Sequence, residues 1–321
     1  MPDPIPPHID FVDYGRKICL TVFDIVRRAY NNEMESEEVP PGEHKDINNI
    51  TRKIDKITQS AAVEAIHQFQ ETSKQEILVL GEEIGKYPDT LENENRLVAF
   101  VDPLDGTDLV VKGFGNWCLA LLFFDPAHRK IIASIIGHSS GEVYYATDRG
   151  AWKEKTITIF DGASKWDHTK PTNLTRNPSQ IIDIENASIC FYGQKPKNFL
   201  SFAKKDKFLS LLEIFGTRMT DGPDHPRERL NMRLYNFGGN PMMAKLANGD
   251  VDAVLGLSPA QVHDVIPGAY IAKQAGALFT DLQNQPINLV QALLKPEKRL
   301  EYLLTASEAL HKQLLPLVQL Q

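Results

Sequence analysis

Two short apolar runs, each followed at once by acidic residues, constrain the fold of this 321-residue chain more than any other feature. Residues 76–80 lead into the acidic turn at 81–83, and residues 96–101 lead into Asp102. Apolar runs of this length, bounded by turn residues, are typical of buried strands. We therefore predict two strands whose carboxyl ends deliver Glu82 and Asp102.

The first half of the chain mixes helical and strand-like periodicity. Apolar residues at helical spacing predict helices over 9–31 and 55–72. Between them and the middle of the chain, short apolar runs separated by turn residues predict strands at 118–124, 130–137 and 143–147. These strands follow one another without intervening helices, so we expect a mainly antiparallel meander.

Beyond about residue 160 the pattern becomes mixed α/β. Helices are predicted at 199–215, 241–247, 264–275 and 307–315, the last ended by Pro316. Strands are predicted at 188–192, 251–255 and 277–280. We expect an N-terminal α+β domain over 1–160 that carries the acidic motifs, and a C-terminal α/β domain over 161–321 that completes the site.

Composition excludes several classes of protein. The net charge of −7 offers no global attraction to nucleic acid or to an anionic membrane. No apolar stretch is long enough to span a bilayer, and the first residues lack an apolar leader, so a cytoplasmic location is expected. Cys19, Cys118 and Cys190 form no Cys-x-x-Cys pair, which favours buried thiols over a zinc or redox site.

The string from Asp102 to Thr107, Asp-Pro-Leu-Asp-Gly-Thr, carries the most chemical information. Its two carboxylates, at Asp102 and Asp105, and the carbonyl of Leu104 between them, are the oxygen ligands that Mg²⁺ prefers. With Glu82 from the neighbouring strand end, the string predicts a site for two metal ions. The alternative is an ordinary turn, because Asp, Pro and Gly are turn formers.

Gly106 and Thr107 add a second capability. Glycine lets the backbone approach a ligand closely, and successive amide N–H groups form a receptor for an anion such as phosphate. A helical turn after them would favour the same charge. The hydroxyl of Thr107 is suited to aligning a water molecule.

These motifs together resemble those of the inositol monophosphatase-like superfamily of Mg²⁺-dependent, lithium-sensitive phosphatases, which includes fructose-1,6-bisphosphatases and 3′-phosphonucleotide phosphatases. The matching pieces are residues 81–83, 102–107, 263–269 and 274–277. They occur in the family's order over roughly residues 10–318. The resemblance implies a layered αβαβα sandwich, two or three Mg²⁺ ions, a homodimer, and in-line attack on a phosphomonoester by metal-activated water without a phosphoenzyme.

Carried over position by position, the resemblance implies that Glu82, Asp102 and the Leu104 carbonyl hold the first magnesium. Asp102, Asp105 and Asp264 would hold the second. Glu82 and Asp102 would also take part in catalysis. Taken alone, Asp264 before an apolar helical segment indicates an N-cap, a role compatible with metal binding.

The same resemblance implies that Asp105, Gly106 and Thr107 bind the phosphate, with Thr107 also touching the attacking water. Asp55 lies one residue away from the position in the family's Thr-x-x-Asp element that supports a third metal or the water. Its alternative role is to cap the helix that follows. Glu83 resembles the family's second glutamate, a neighbour of the metal ligands.

Four positions depart from the pattern or vary within it. His263 replaces a tryptophan, and it either packs or contacts the phosphate. Leu257 stands where inositol phosphatases carry a glutamate that binds a substrate hydroxyl, which argues against inositol phosphate. Arg227 and Arg229, in the charged loop 221–229, are candidates for gripping a second phosphate; the alternative is a solvated loop.

The leading hypothesis is therefore a Mg²⁺-dependent, inositol monophosphatase-like hydrolase of a small soluble phosphorylated metabolite. Fructose-1,6-bisphosphatase and 3′-phosphoadenosine phosphatase are the alternatives within the class. A catalytically silent, metal-binding regulatory protein is the alternative of another class. The sequence contains no basic stripe that would support a nucleic-acid-binding or protein-binding module.

Overall fold

The computed structural model describes residues 10–29, 52–82, 84, 87–155, 157–160, 163–166, 169–193, 196–220 and 232–319. The helices are α1 (Phe11–Ala29), α2 (Lys53–Ser73), α3 (Thr107–Val111), α4 (Pro196–Ala203), α5 (Asp206–Thr220), α6 (Gly239–Asn248), α7 (Val262–Gln274), α8 (Leu289–Leu294) and α9 (Glu308–Val318). The strands are β1 (Ile77–Gly81), β2 (Leu97–Asp105), β3 (Cys118–Asp125), β4 (Lys130–His138), β5 (Glu142–Thr147), β6 (Gly150–Lys155), β7 (Ile157–Phe160), β8 (Ala163–Trp166), β9 (Thr172–Leu174), β10 (Ser188–Phe191), β11 (Arg233–Tyr235), β12 (Ala253–Ala260), β13 (Leu278–Thr280) and β14 (Leu300–Thr305).

The larger sheet has the strand order β1-β2-β3-β4-β5-β6-β9. Strands β2 to β6 form the predicted antiparallel meander. Only β1 and β2 run parallel among these neighbours, with Gly81 opposite Val101. Parallel strands run towards the same edge of a sheet. Glu82 and Asp102, the residues that follow Gly81 and Val101, therefore lie at the same edge.

The smaller sheet has the order β11-β10-β12-β14-β13. Strand β10 pairs in parallel with both β11 and β12. Strand β14 runs antiparallel to its neighbours β12 and β13. Strands β7 and β8 form a separate two-stranded ribbon.

Buried side chains sort these elements into five layers. In β2, Val98 and Phe100 join the core between the sheets, whereas Ala99 and Val101 join the core under α1 and α2. Helices α6 and α7 fill the space between the sheets, and α4, α5 and α9 cover the outer face of the smaller sheet. This αβαβα sandwich confirms the predicted fold class. It also explains the continuous apolar runs, because a sheet covered on both faces needs no polar side.

The helix predicted over 199–215 is wrong, because two helices, α4 and α5, occupy this region. Phe202 and Phe208 are both buried, and their rings meet edge to face at 5.1 Å. In one continuous helix, residues six apart would point about 120° away from each other. The break at 204–205 lets both rings reach the same core.

Pro316 does not end the last helix, which continues to Val318. A proline so near the C-terminus removes only one intrahelical bond, the one to Lys312, and two residues remain beyond it. Strands β6 and β14 lie outside the predicted strands. Their ranges are short or lack strict alternation, and pairing with neighbours far along the chain defines them.

Strand β9 pairs with β6 and so joins the larger sheet from beyond residue 160. The division into domains 1–160 and 161–321 stays a prediction. Within the described part of the chain, no helix combines the length and apolarity that a membrane crossing requires.

Candidate active site

The two aspartates of the central string lie at a bulge in β2. Asp102 pairs with Ala120 and Asp105 with Cys118, so three steps along β2 face two steps along β3. In a regular strand, side chains three residues apart face opposite sides of the sheet. The extra residue of the bulge offsets that alternation. Pro103 lies within the bulge, a position at which a sheet tolerates proline.

Burial and mutual repulsion oppose ionisation of these two carboxyl groups. Asp102 is 4% exposed, and burial, then the charges of Asp105, Glu82 and Asp264, raise its pKa well above the usual range. Burial, then the charge of Asp264, raises the pKa of Asp105 to about 7, although hydrogen bonds from Asn240 act in the opposite direction. Carboxyl groups from the turn after β1, from β2 and from α7 are therefore close enough for their charges to raise the pKa of Asp102.

Asp264 lies in the first turn of α7, where it forms a capping box with Gln261. Its Oδ2 accepts a hydrogen bond from the Gln261 N–H at 3.1 Å, and its Oδ1 lies 3.0 Å from Nε2 of His263. Gln261, rather than Asp264, is the N-cap residue of this helix. Burial opposes its ionisation, but these two neighbours outweigh burial and lower the pKa of Asp264.

Asp55 makes the same kind of capping contact and a second one across the site. Its Oδ2 accepts a hydrogen bond from the Arg52 N–H at 2.7 Å, which places it in a capping box at the start of α2. The Thr107 hydroxyl lies 2.6 Å from Asp55 Oδ1 and 3.0 Å from the Leu104 carbonyl oxygen. The structure thus joins Asp55 to the central string while it also caps its own helix.

A helical turn does follow Gly106: it is α3, which begins at Thr107. Gly106 has φ +101°, and a Cβ there would lie 3.1 Å from the carbonyl oxygen of Asn116. Gly239 has φ +73°, and a Cβ there would lie 2.8 Å from Asp105 Oδ2. Gly239 therefore lets the backbone approach Asp105, and Gly106 lets it pack closely against residues 116–117 just before β3.

Sequence reasoning misses Asn240, a fully buried residue that joins two parts of the site. Its backbone N–H donates to Asp105 Oδ2 at 3.0 Å, and its side-chain Nδ2 donates to the carbonyl oxygen of His263 at 2.9 Å. That carbonyl loses its helical partner because Pro267, four residues on, has no N–H. The Asn240 amide replaces the missing donor. A proline inside a predicted helix is the sequence feature that indicates a carbonyl in need of such a donor.

His263 packs and also makes polar contacts. Its ring is fully buried and stacks on Tyr87 at 5.7 Å between centroids. Its Nδ1 lies 2.5 Å from the Tyr87 hydroxyl, a partner that the sequence does not indicate.

Leu257 is buried in the core behind the smaller sheet, away from the acidic cluster. Glu83 and the loop with Arg227 and Arg229 lie outside the described residues.

The donor set fits a divalent cation. One ligand atom each of Asp102, His263 and Asp264 lies within 4.8 Å of the others. Asp105 and Glu82 add negative charge around them. A bound cation would offset the repulsion that raises the pKa of the buried carboxyl groups.

Fold and site together define an αβαβα protein with a carboxylate cluster suited to metal ions. The chain belongs to the inositol monophosphatase family, whose sequence model matches residues 9–320. It is therefore a phosphatase of the inositol monophosphatase superfamily. A comparison with curated proteins gave no significant match.

Solved structures share the fold over nearly the whole chain. A Pyrococcus horikoshii protein with similarities to inositol-1 monophosphatase is 18% identical, with a TM-score of 0.63 over 96% of this chain and 100% of its own. The Thermotoga maritima IMPase is 16% identical, with a TM-score of 0.61 over 97% of each chain. The Bartonella henselae extragenic suppressor protein SuhB is 14% identical, with a TM-score of 0.62 over 95% of this chain and 97% of its own.

Proposed function

We propose that this chain is a magnesium-dependent phosphatase that hydrolyses a small phosphomonoester. The observation that carries the proposal is that ligand atoms of Asp102, His263 and Asp264 lie within 4.8 Å of one another, with Asp105 close enough to raise the pKa of Asp102. Such a cluster is stable as carboxylates only beside positive charge. Hard oxygen donors in this number favour Mg²⁺ over softer ions, although His263 is a nitrogen donor nearby.

The proposed ligands are those that the family resemblance implies. Glu82, Asp102 and the Leu104 carbonyl would hold one ion, and Asp102, Asp105 and Asp264 a second. When bound, these ions supply Lewis-acid polarisation of the phosphate and lower the pKa of a water molecule.

The neighbouring residues have distinct proposed tasks. The Thr107 hydroxyl, which is within donating distance of Asp55, keeps lone pairs free to orient the attacking water. The amides of Gly106 and Thr107 would bind phosphate oxygens at the start of α3. Asp55 accepts the hydroxyl proton in a hydrogen bond and so fixes the direction of those lone pairs.

The proposed substrate class is a small phosphorylated metabolite. One fold neighbour, the inositol monophosphatase II of Staphylococcus aureus, is described bound to inositol monophosphate and also to 2′AMP. In this chain Leu257 is buried in a separate core and offers no acceptor for a sugar hydroxyl. A phosphonucleotide and a sugar bisphosphate are therefore candidate substrates as well as inositol phosphate.

A phosphate-release assay tests both the reaction and the substrate. We would compare inositol 1-phosphate, fructose 1,6-bisphosphate, 3′-phosphoadenosine phosphate and 2′AMP, each with Mg²⁺ and with a chelator. We expect release from at least one substrate, abolished by chelation and restored by Mg²⁺. Release that survives chelation would contradict the metal assignment. Cation binding without release from any substrate would favour the silent regulatory protein.

Lithium sensitivity and a homodimeric state complete the proposal, and both rest on family resemblance. Titration with lithium chloride should lower the rate, and light scattering after size exclusion should give twice the chain mass of 36.1 kDa. A rate independent of lithium, or the mass of one chain, would remove the corresponding part.

A further inference from the structure

A chain of close polar contacts leads from the acidic cluster into the protein interior. Asp264 Oδ1 lies 3.0 Å from His263 Nε2, and His263 Nδ1 lies 2.5 Å from the Tyr87 hydroxyl. His263 is fully buried and Tyr87 is 7% exposed. Buried polar groups are costly unless they are paired, so these contacts define the orientation of both rings.

The two ring nitrogens of His263 face different partners. Nε2 lies 3.0 Å from Asp264 Oδ1, and only a ring with a proton on Nε2 offers that carboxylate a donor. Nδ1 faces the Tyr87 hydroxyl, which can donate or accept. A tryptophan, the residue of the family pattern, has only a donor N–H and could not accept from a tyrosine while donating to the aspartate.

Packing holds the same chain in place from several sides. The Tyr87 ring stacks on His263 and lies nearly parallel to Phe100 of β2, 6.5 Å between centroids. Asn240 holds the His263 carbonyl through its side chain and Asp105 through its backbone. Because Gln261 holds the other oxygen of Asp264, both carboxylate oxygens have fixed positions.

We propose that Tyr87 and His263 are positioning residues that orient the Asp264 carboxylate and thereby set the affinity of the site for Mg²⁺. This inference rests on the proposed function. Groups that hydrogen-bond to a metal ligand fix its direction before the ion arrives, and losing them typically weakens metal affinity about tenfold or more.

Calorimetric titration of MgCl₂ into chelator-treated protein tests the inference without using activity. His263→Phe keeps an aromatic ring against Tyr87 but removes both polar contacts, so it should weaken Mg²⁺ binding about tenfold or more. His263→Gln places an amide donor near the position of Nε2, so its affinity should stay close to wild type. Tyr87→Phe should fall between the two.

Tyr145→Phe is the matched control. Tyr145 is likewise a buried tyrosine, and its hydroxyl donates to Glu154 at 3.0 Å, outside the acidic cluster. This variant should bind Mg²⁺ like wild type. Circular dichroism should show the same fold in all the variants, and His263→Gln keeps the test valid if His263→Phe does not fold.

Two results would overturn the inference. In the first, His263→Gln binds Mg²⁺ as weakly as His263→Phe. In the second, both bind Mg²⁺ like wild type; a loss of Zn²⁺ affinity in these variants would then identify the imidazole as a direct ligand. Nitrogen-15 NMR adds a readout that does not depend on metal: Nε2 of His263 should carry a proton, and a ring protonated on Nδ1 alone would refute the inference. Absence of Mg²⁺ binding in wild type, with the proton on Nε2, would refute the proposed function instead.

Discussion

At the scale of single residues, the site is built from side chains that serve two purposes. Asp55 and Asp264 each cap a helix with one carboxylate oxygen and face the site with the other. A capping box fixes a carboxylate to the first turn of a rigid helix. Each aspartate side chain is thereby held in one orientation. A small ion such as Mg²⁺ needs ligands at well-defined positions.

Asp102→Asn should reduce turnover by at least about 100-fold, because it removes a charged oxygen ligand at the centre of the cluster. The fold should remain, since the asparagine carbonyl can still accept from the Leu104 N–H and one repulsive charge is lost. Phosphate release measures the effect. Asp148→Asn removes an exposed carboxylate that pairs with Lys130, and should leave the rate unchanged. An active Asp102→Asn enzyme would contradict the metal assignment.

Gly239→Ala should lower both stability and activity. Its φ of +73° strains any side chain, and the new Cβ would press on Asp105 Oδ2 at 2.8 Å. Gly113→Ala is the matched control, because its φ of +75° carries the same strain while no atom lies within 4 Å. Both should lose about 1–2 kcal/mol in thermal unfolding, and only Gly239→Ala should lose activity. Equal rates for the two variants would show that the contact with Asp105 is unimportant.

At the scale of elements, Glu142 of β5 ties the larger sheet to α6. Lys245 of α6 donates to it at 2.8 Å, and Tyr144 and Ser140 donate to the same carboxylate. Burial alone would raise its pKa, but these hydrogen bonds lower the pKa of Glu142 to about 2. Helix α6 also carries Asn240, so this anchor helps to hold one wall of the site.

The lowered pKa of Glu142 predicts a pH-dependent contribution to stability. A carboxylate with a depressed pKa stabilises the folded state above its unfolded pKa of about 4.5, and the contribution is lost as pH falls towards 2. Glu142→Gln should cost roughly 1–3 kcal/mol at neutral pH and progressively less in acid. Thermal unfolding across this range measures it. Glu308→Gln, which breaks an exposed pair with Lys312, should show no such trend.

At the scale of the whole molecule, the site lies where three layers meet. The larger sheet contributes Asp102 and Asp105, the middle helices contribute Asn240 and Asp264, and the outer helix α2 contributes Asp55. A cation held by these residues would bridge layers that separate on unfolding. Binding is therefore linked to the stability of the complete sandwich.

Mg²⁺ should raise the unfolding temperature of the wild-type protein. At a free concentration about 100 times Kd, binding to the folded state alone adds about 2.7 kcal/mol. Differential scanning calorimetry with and without a chelator measures the shift, and Asp102→Asn should abolish most of it. An identical unfolding temperature in both buffers would mean that the cluster holds no magnesium.

The sequence alone determined those parts of the protein that local pattern encodes. Apolar periodicity and turn residues predicted most helices, the antiparallel meander and the two strands that end at Glu82 and Asp102. The acidic string identified the candidate site, because bulge-forming proline, glycine and carboxylates are adjacent there. These features need only neighbouring residues to act, so a linear pattern contains them.

Only the tertiary structure decided how distant residues meet. Tyr87 and His263 lie 176 positions apart. The Asn240 amide donates to the His263 carbonyl, which has no helical N–H partner because residue 267 is a proline. The break between α4 and α5 and the placement of β14 likewise depend on packing partners far along the chain. Such contacts satisfy polar groups and fill cores created by folding itself, and no local pattern records them.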